Sequence, residues 1–182
     1  MKYLKNRKTA ISVTSFLILL SILFGAHSSL TGIRDRALDI FYTGEKADGK
    51  GIQSDLEYIS DQCYNLTVVA GRYMDKGDAR IEDILKKRDR LDSAAAPGDK
   101  YRAKEELIEA AMSLYEDMGT MELEERDRYY RDGFAADVES RQLIISHSSY
   151  NENAIAFNKC LKRFPANILS KITFVKPLEL YE

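Results

Sequence analysis

The sequence predicts an all-α chain: an N-terminal transmembrane helix followed by an elongated antiparallel helical bundle of the four-helix type. Three observations carry this. The 182 residues include only three prolines and are rich in Ala, Leu, Glu, Lys and Arg, which favour helix. Apolar residues recur at helical spacing along most of the chain, and strand patterns are scarce. One long stretch, Thr9 to Ile33, contains no Asp, Glu, Lys or Arg.

That stretch sets the compartment. Its centre, "AISVTSFLILLSILFGA" (Ala10–Ala26), approaches the roughly 20 apolar residues that a helix needs to cross a bilayer. Residues 1–9 carry Lys2, Lys5, Arg7 and Lys8 and no acid. Basic flanks stay in the cytoplasm, so the chain is expected to enter with its N-terminus inside. The expected division is a cytoplasmic basic segment (1–9), a signal-anchor (10–30) and an extracytoplasmic helical bundle (31–182). A cleaved signal peptide is the other reading, with Ala26-His27-Ser28 as a small-x-small cleavage site. The uncharged run continuing into "SLTGI" favours the anchor.

The elements follow in order. "TGIRDRALDIFYTGEK" reads as a short helix of its own, and "ADGKG" (47–51) as a Gly-Asp loop. The next helix, about Gln53 to Met74, is the clearest. Leu56, Ile59, Cys63, Leu66, Ala70 and Tyr73 form a heptad-like seam. "DKGD" (75–78) ends it, and Asp78 is suited to cap a third helix, about Ala79 to Asp92. Pro97-Gly98 reads as a turn with Asp99 as cap of a fourth helix, about Lys100 to Met118. From about Leu123 to Phe164 the pattern predicts one rod of roughly 60 Å, weakest at Gly133 and stopped by Pro165. "ANILSKI" reads as a short closing helix and "TFVKPLELYE" as an extended segment.

Near-neutral charge, with 27 basic and 29 acidic residues, gives no reason to expect nucleic acid as partner. Cys63 and Cys160 admit two readings. Export permits a disulfide between them. Both also lie in helical apolar stripes, as small apolar fillers do, and this second reading is favoured. No zinc, P-loop, di-iron or nucleophile-elbow motif is present, so no catalytic, cofactor or metal residue is assigned. His147 sits between Ser146 and Ser148, but helix neighbours point about 100° apart and make no local triad. In "MELEERDRYYRDGF", acid and Arg lie four apart at Glu122/Arg126, Glu124/Arg128 and Asp127/Arg131. This is the pattern of a solvated face, or of an interaction face built on Arg126, Arg128, Tyr129, Tyr130 and Arg131.

Aromatic–asparagine pairs recur: Tyr64-Asn65, Tyr150-Asn151 and Phe157-Asn158, the last two a heptad apart. Tyr150, Ala154, Phe157, Leu161 and Phe164 make an apolar stripe with Asn151 and Asn158 at its edge. A buried amide left unmatched costs about 1–3 kcal/mol, so each Asn needs a backbone carbonyl, another Asn or a Tyr hydroxyl. One reading is structural. The sharper one is a polar groove for a peptide or small ligand beside Asn65, Asn151 and Asn158.

"YNENAIAFNKCLKRFPANIL" resembles the C-terminal signature of LemA-family proteins, through Tyr150, Asn151, Phe157, Asn158, Phe164, Pro165 and Asn167. Asp61, Asn65 and Leu66 match the family's Asp, Asn and Leu after the anchor, Ile33-Arg34-Asp35 its Leu-Arg-Asn stretch, and Tyr181-Glu182 its aromatic-acidic end. Ile59-Ser60 replaces the usual basic pair, Tyr64 a Pro, and "YTGEKADGKG" is inserted, which mark a short divergent member. The resemblance implies a single-pass anchor, an extracytoplasmic bundle of long helices, and no particular activity. The expected role is a non-enzymatic envelope scaffold or protein-interaction module, anchored in the membrane, with an envelope protein or a second copy as partner. The alternative is an extracytoplasmic sensor or ligand-binding domain.

Overall fold

A computed structural model describes residues 7–182. The first six residues of the basic segment, with Lys2 and Lys5, lie outside the described residues. The described chain is all-helical, with seven helices: α1 (Arg7–Thr43), α2 (Ile52–Ala70), α3 (Ala79–Ser93), α4 (Pro97–Met118), α5 (Glu125–Ser146), α6 (Tyr150–Leu161) and α7 (Ala166–Ile172). Contacts divide it into two compact units. One combines residues up to Leu38 with Glu152–Leu178, the other Asp39–Asn151 with Glu179–Glu182.

The first unit contains most of α1, which is long and apolar enough to cross a membrane near the N-terminus. None of its apolar stretch Ala10–Ala26 is buried. Phe16, Leu17, Ile18, Leu19 and Leu20 are all exposed, on successive faces of the helix. The expected separate helix after residue 31 does not exist, because α1 continues without a break to Thr43. No proline interrupts it, and Gly25 and Gly32 are tolerated inside it. At 1.5 Å per residue, 37 residues make a rod of about 55 Å. Later in this unit, Ala154, Phe157, Val175 and Leu178 are buried.

The second unit is built on α2. Leu56, Ile59, Cys63, Leu66 and Ala70 are buried, as the seam predicts. α2 packs against α3, α4 and α5; α4 also packs against α3 and α5. α3 starts where expected, with Asp78 accepting a hydrogen bond from the Arg80 amide. α4 starts earlier than expected. Pro97 takes its first turn, where the fixed φ suits a helix and no N–H is needed, so Asp99 lies inside rather than capping. Tyr73 falls beyond α2, which ends at Ala70 with Gly71 as its C-cap.

The long rod expected over 123–164 is also corrected. It breaks at His147–Ser149, between α5 and α6. Serines compete with helix for backbone groups, and here the Ser148 hydroxyl accepts from the Tyr150 amide. Gly133, the predicted weak point, stays helical inside α5. α6 ends at Leu161, ahead of Pro165, and Phe164 is 81% exposed, outside the buried stripe. The peptide bond between Phe164 and Pro165 is cis.

Two glycines give opposite outcomes. A Cβ on Gly51 would sit 2.4 Å from the Phe41 carbonyl oxygen and 2.7 Å from the Tyr42 carbonyl carbon, both backbone atoms. On Gly133 it would meet nothing within 4 Å. Gly51→Ala is expected to lower stability by about 1–3 kcal/mol through overpacking. Gly133→Ala is expected to raise it by about 0.5–1 kcal/mol through helix propensity. Urea titration followed by circular dichroism measures both.

Candidate functional site at the α2–α5 cleft

The packing of α2 on α5 is pinned by one carboxylate. Asp127 lies in the first turn of α5 and is 1% exposed. It accepts from the Tyr73 hydroxyl at 2.7 Å and from Arg72 Nη1 at 2.5 Å. The Tyr73 oxygen in turn accepts from the Glu124 amide at the start of α5, at 3.1 Å. The turn that closes α2 therefore holds the N-terminus of α5. The Tyr73 hydroxyl, followed by Arg72, keeps the Asp127 carboxyl below its ordinary range, against the desolvation that pushes it up. The same bond raises the Tyr73 phenol.

Beside this anchor lies a cleft of about 300 Å³. Its apolar lining is Leu66, Val68 and Val69 of α2 and Phe134 of α5. Its polar lining is Gln62, Asn65, Arg72, Arg126, Tyr130 and Arg131, with no acid among them. Arg131 is committed elsewhere. It donates twice to the Tyr115 carbonyl, pairs with Asp132, and lies over the Tyr115 ring at 3.9 Å. Gly119 makes room for it, since a Cβ there would come within 2.5 Å of Arg131 Nη2. Arg126 lies over Tyr130 at 5.9 Å and makes no hydrogen bond or ion pair among the described residues. Asn65 is exposed and likewise makes no hydrogen bond there.

The structure thus joins residues that the sequence assigned to separate features. Asn65 lines the cleft with Arg126, Tyr130 and Arg131, and not with Asn151 or Asn158. Arg128 turns away, donating to the Leu123 carbonyl, and Tyr129 is 78% exposed and outside the cleft. The expected Asp127/Arg131 pair does not form; Asp127 belongs to Arg72 and Tyr73. Local helix spacing gave no sign of those partners, 55 and 54 residues upstream.

Asn151 and Asn158 each clamp a backbone. In the second unit, Asn151 donates to the Tyr181 carbonyl at 3.0 Å and accepts from the Tyr181 amide at 2.8 Å. Tyr150 donates to the Glu179 carbonyl at 2.6 Å, and the Tyr181 ring lies against Phe41 and Tyr101. In the first unit, Asn158 makes the same paired bonds to Leu178, both at 2.8 Å. Phe157 is buried behind it. Pro165 precedes α7 as its N-cap residue, and the Asn167 side-chain oxygen Oδ1 is buried without a hydrogen-bond partner among the described residues.

Both cysteines are free thiols. Burial pushes Cys63 up to about 12, so it stays protonated as a core filler; Cys160 is half-buried. The His147 Nδ1 lies 2.8 Å from the Leu143 carbonyl, which also accepts from the Ser146 hydroxyl. That geometry turns the serine proton away from the ring, though the two side chains are 3.4 Å apart. No protein-family model, curated protein or solved structure matches the chain.

Because the folded Asp127 carboxyl titrates below its unfolded value of 3.8, its stabilisation is complete above that pH and is lost as pH falls through the folded value. Asp127→Asn should therefore melt below the parent at pH 7, and the gap should narrow below about pH 4. Thermal melts at pH 7 and pH 3 measure this. Asn151→Leu removes two amide–backbone bonds, each worth about 1 kcal/mol, so the Tyr181 amide should exchange hydrogen about 10 to 30 times faster while α2 amides keep their protection.

Proposed function

We propose that the chain is a single-pass membrane protein of the LemA type, with its N-terminus in the cytoplasm and its remaining helices outside. It serves there as a non-enzymatic scaffold or interaction module of the cell envelope. The observation that carries the anchor is α1, whose apolar window has no buried side chains. A helix stretch that is apolar on every face belongs in a dry interior or a bilayer, and among the described residues this one is not buried. The basic residues ahead of its apolar stretch, including Arg7 and Lys8, support the inside orientation.

The pairwise packing of α2, α3, α4 and α5 supports an antiparallel four-helix bundle, since their connections are short. The LemA assignment rests on the motif residues Tyr150, Asn151, Phe157 and Asn158, which all have packing or clamping roles. A second reading, a ligand-binding domain, is favoured by the acid-free cleft around Arg126.

Topology is tested with Glu182→Cys in a Cys160→Ser background, where Cys63 remains shielded. In intact cells with the wall and any outer membrane permeabilised, a membrane-impermeant maleimide is expected to label this position. Labelling only after lysis of the inner membrane would place the helices in the cytoplasm and end the envelope reading.

A further inference from the structure

We infer that the α2–α5 cleft binds a small organic carboxylate bearing an aromatic or branched apolar body. No acid lines it, and one of its three arginines, Arg126, makes no ion pair among the described residues, so the unpaired charge there favours an anion. Arg72 and Arg131 are offset by Asp127 and Asp132, so the unpaired positive charge at the cleft belongs to Arg126. Arg126 and Asn65 have donors to spend, because neither makes a hydrogen bond among the described residues. A guanidinium and an amide on one rim suit the two oxygens of a carboxylate. Below them, Leu66, Val69 and Phe134 offer an apolar seat.

Size selects the ligand class. A volume of about 300 Å³ is at the low end for ligand pockets and takes one small molecule rather than an extended peptide. Rigidity supports the same choice. Asp127 fixes α5 against the turn after α2, so the site is formed before the ligand arrives. The inference deepens the ligand-binding reading, and its geometry does not depend on which side of the membrane the cleft faces. Titration and topology labelling therefore fail separately.

The test uses the full chain in nanodiscs, titrated calorimetrically with phenylacetate at low salt, with the heat of empty nanodiscs subtracted. Saturable binding is expected, with at least about 10-fold weaker binding of uncharged phenylacetamide and of acetate. Arg126→Gln and, independently, Asn65→Leu should weaken phenylacetate binding, while Lys86→Gln on α3 should leave it unchanged. No saturable binding, equal affinity for phenylacetamide, or unaltered binding in a folded Arg126→Gln protein would overturn the proposal. So would preference for a peptide ending in a Phe carboxylate over phenylacetate, which would assign the cleft to protein chain ends.

Discussion

One buried carboxylate organises the second unit. Asp127 faces inward from the first turn of α5, where the helix dipole favours negative charge. An ionised group this deep is tolerated only when its lone pairs are used. Tyr73 and Arg72 use them, and both belong to the turn that closes α2. Tyr73 also accepts the Glu124 amide, one of the donors that a helix start leaves without an internal partner. The end of α2 and the start of α5 are thereby one polar joint, and the cleft beside it inherits a fixed width.

The cleft follows from how the arginines around that joint are divided. Arg72 serves Asp127, and Arg131 crosses to the Tyr115 carbonyl through the space that Gly119 leaves open. Their charges are offset by Asp127 and Asp132, and their hydrogens are committed. Arg126 is left facing solvent over Tyr130, next to the unspent amide of Asn65. An anion is the natural complement of that arrangement.

Asn151 and Asn158, a heptad apart in sequence, play the same part in their separate units: each holds one residue of the closing segment, Tyr181 in the second unit and Leu178 in the first. Each amide uses both its donor and its acceptor on one residue, so it reads backbone rather than side-chain identity. The neighbouring Tyr150 and Phe157 supply buried apolar surface next to each clamp.

Local pattern alone determined the helical class, several of the helices and the apolar span. The α2 seam, the Asp78 cap, the closing α7 and the apolar span inside α1 follow from periodicity, capping chemistry and the lack of charge between Thr9 and Ile33, whereas the continuation of α1 to Thr43 did not. It also marked Asn151 and Asn158 as amides in need of partners, because they border an apolar stripe. Their partners were illegible, since an extended segment without periodicity does not announce what holds it. Asp127 was misread for a similar reason: it sits among alternating acids and arginines, and its partners Arg72 and Tyr73 lie far upstream. Tertiary structure decided that Arg72 rather than Arg131 neutralises it, and that Asn65 and Arg126 share a cleft. Helical periodicity reports which face is apolar, whereas the pairing of charges depends on which distant turn folds against that face.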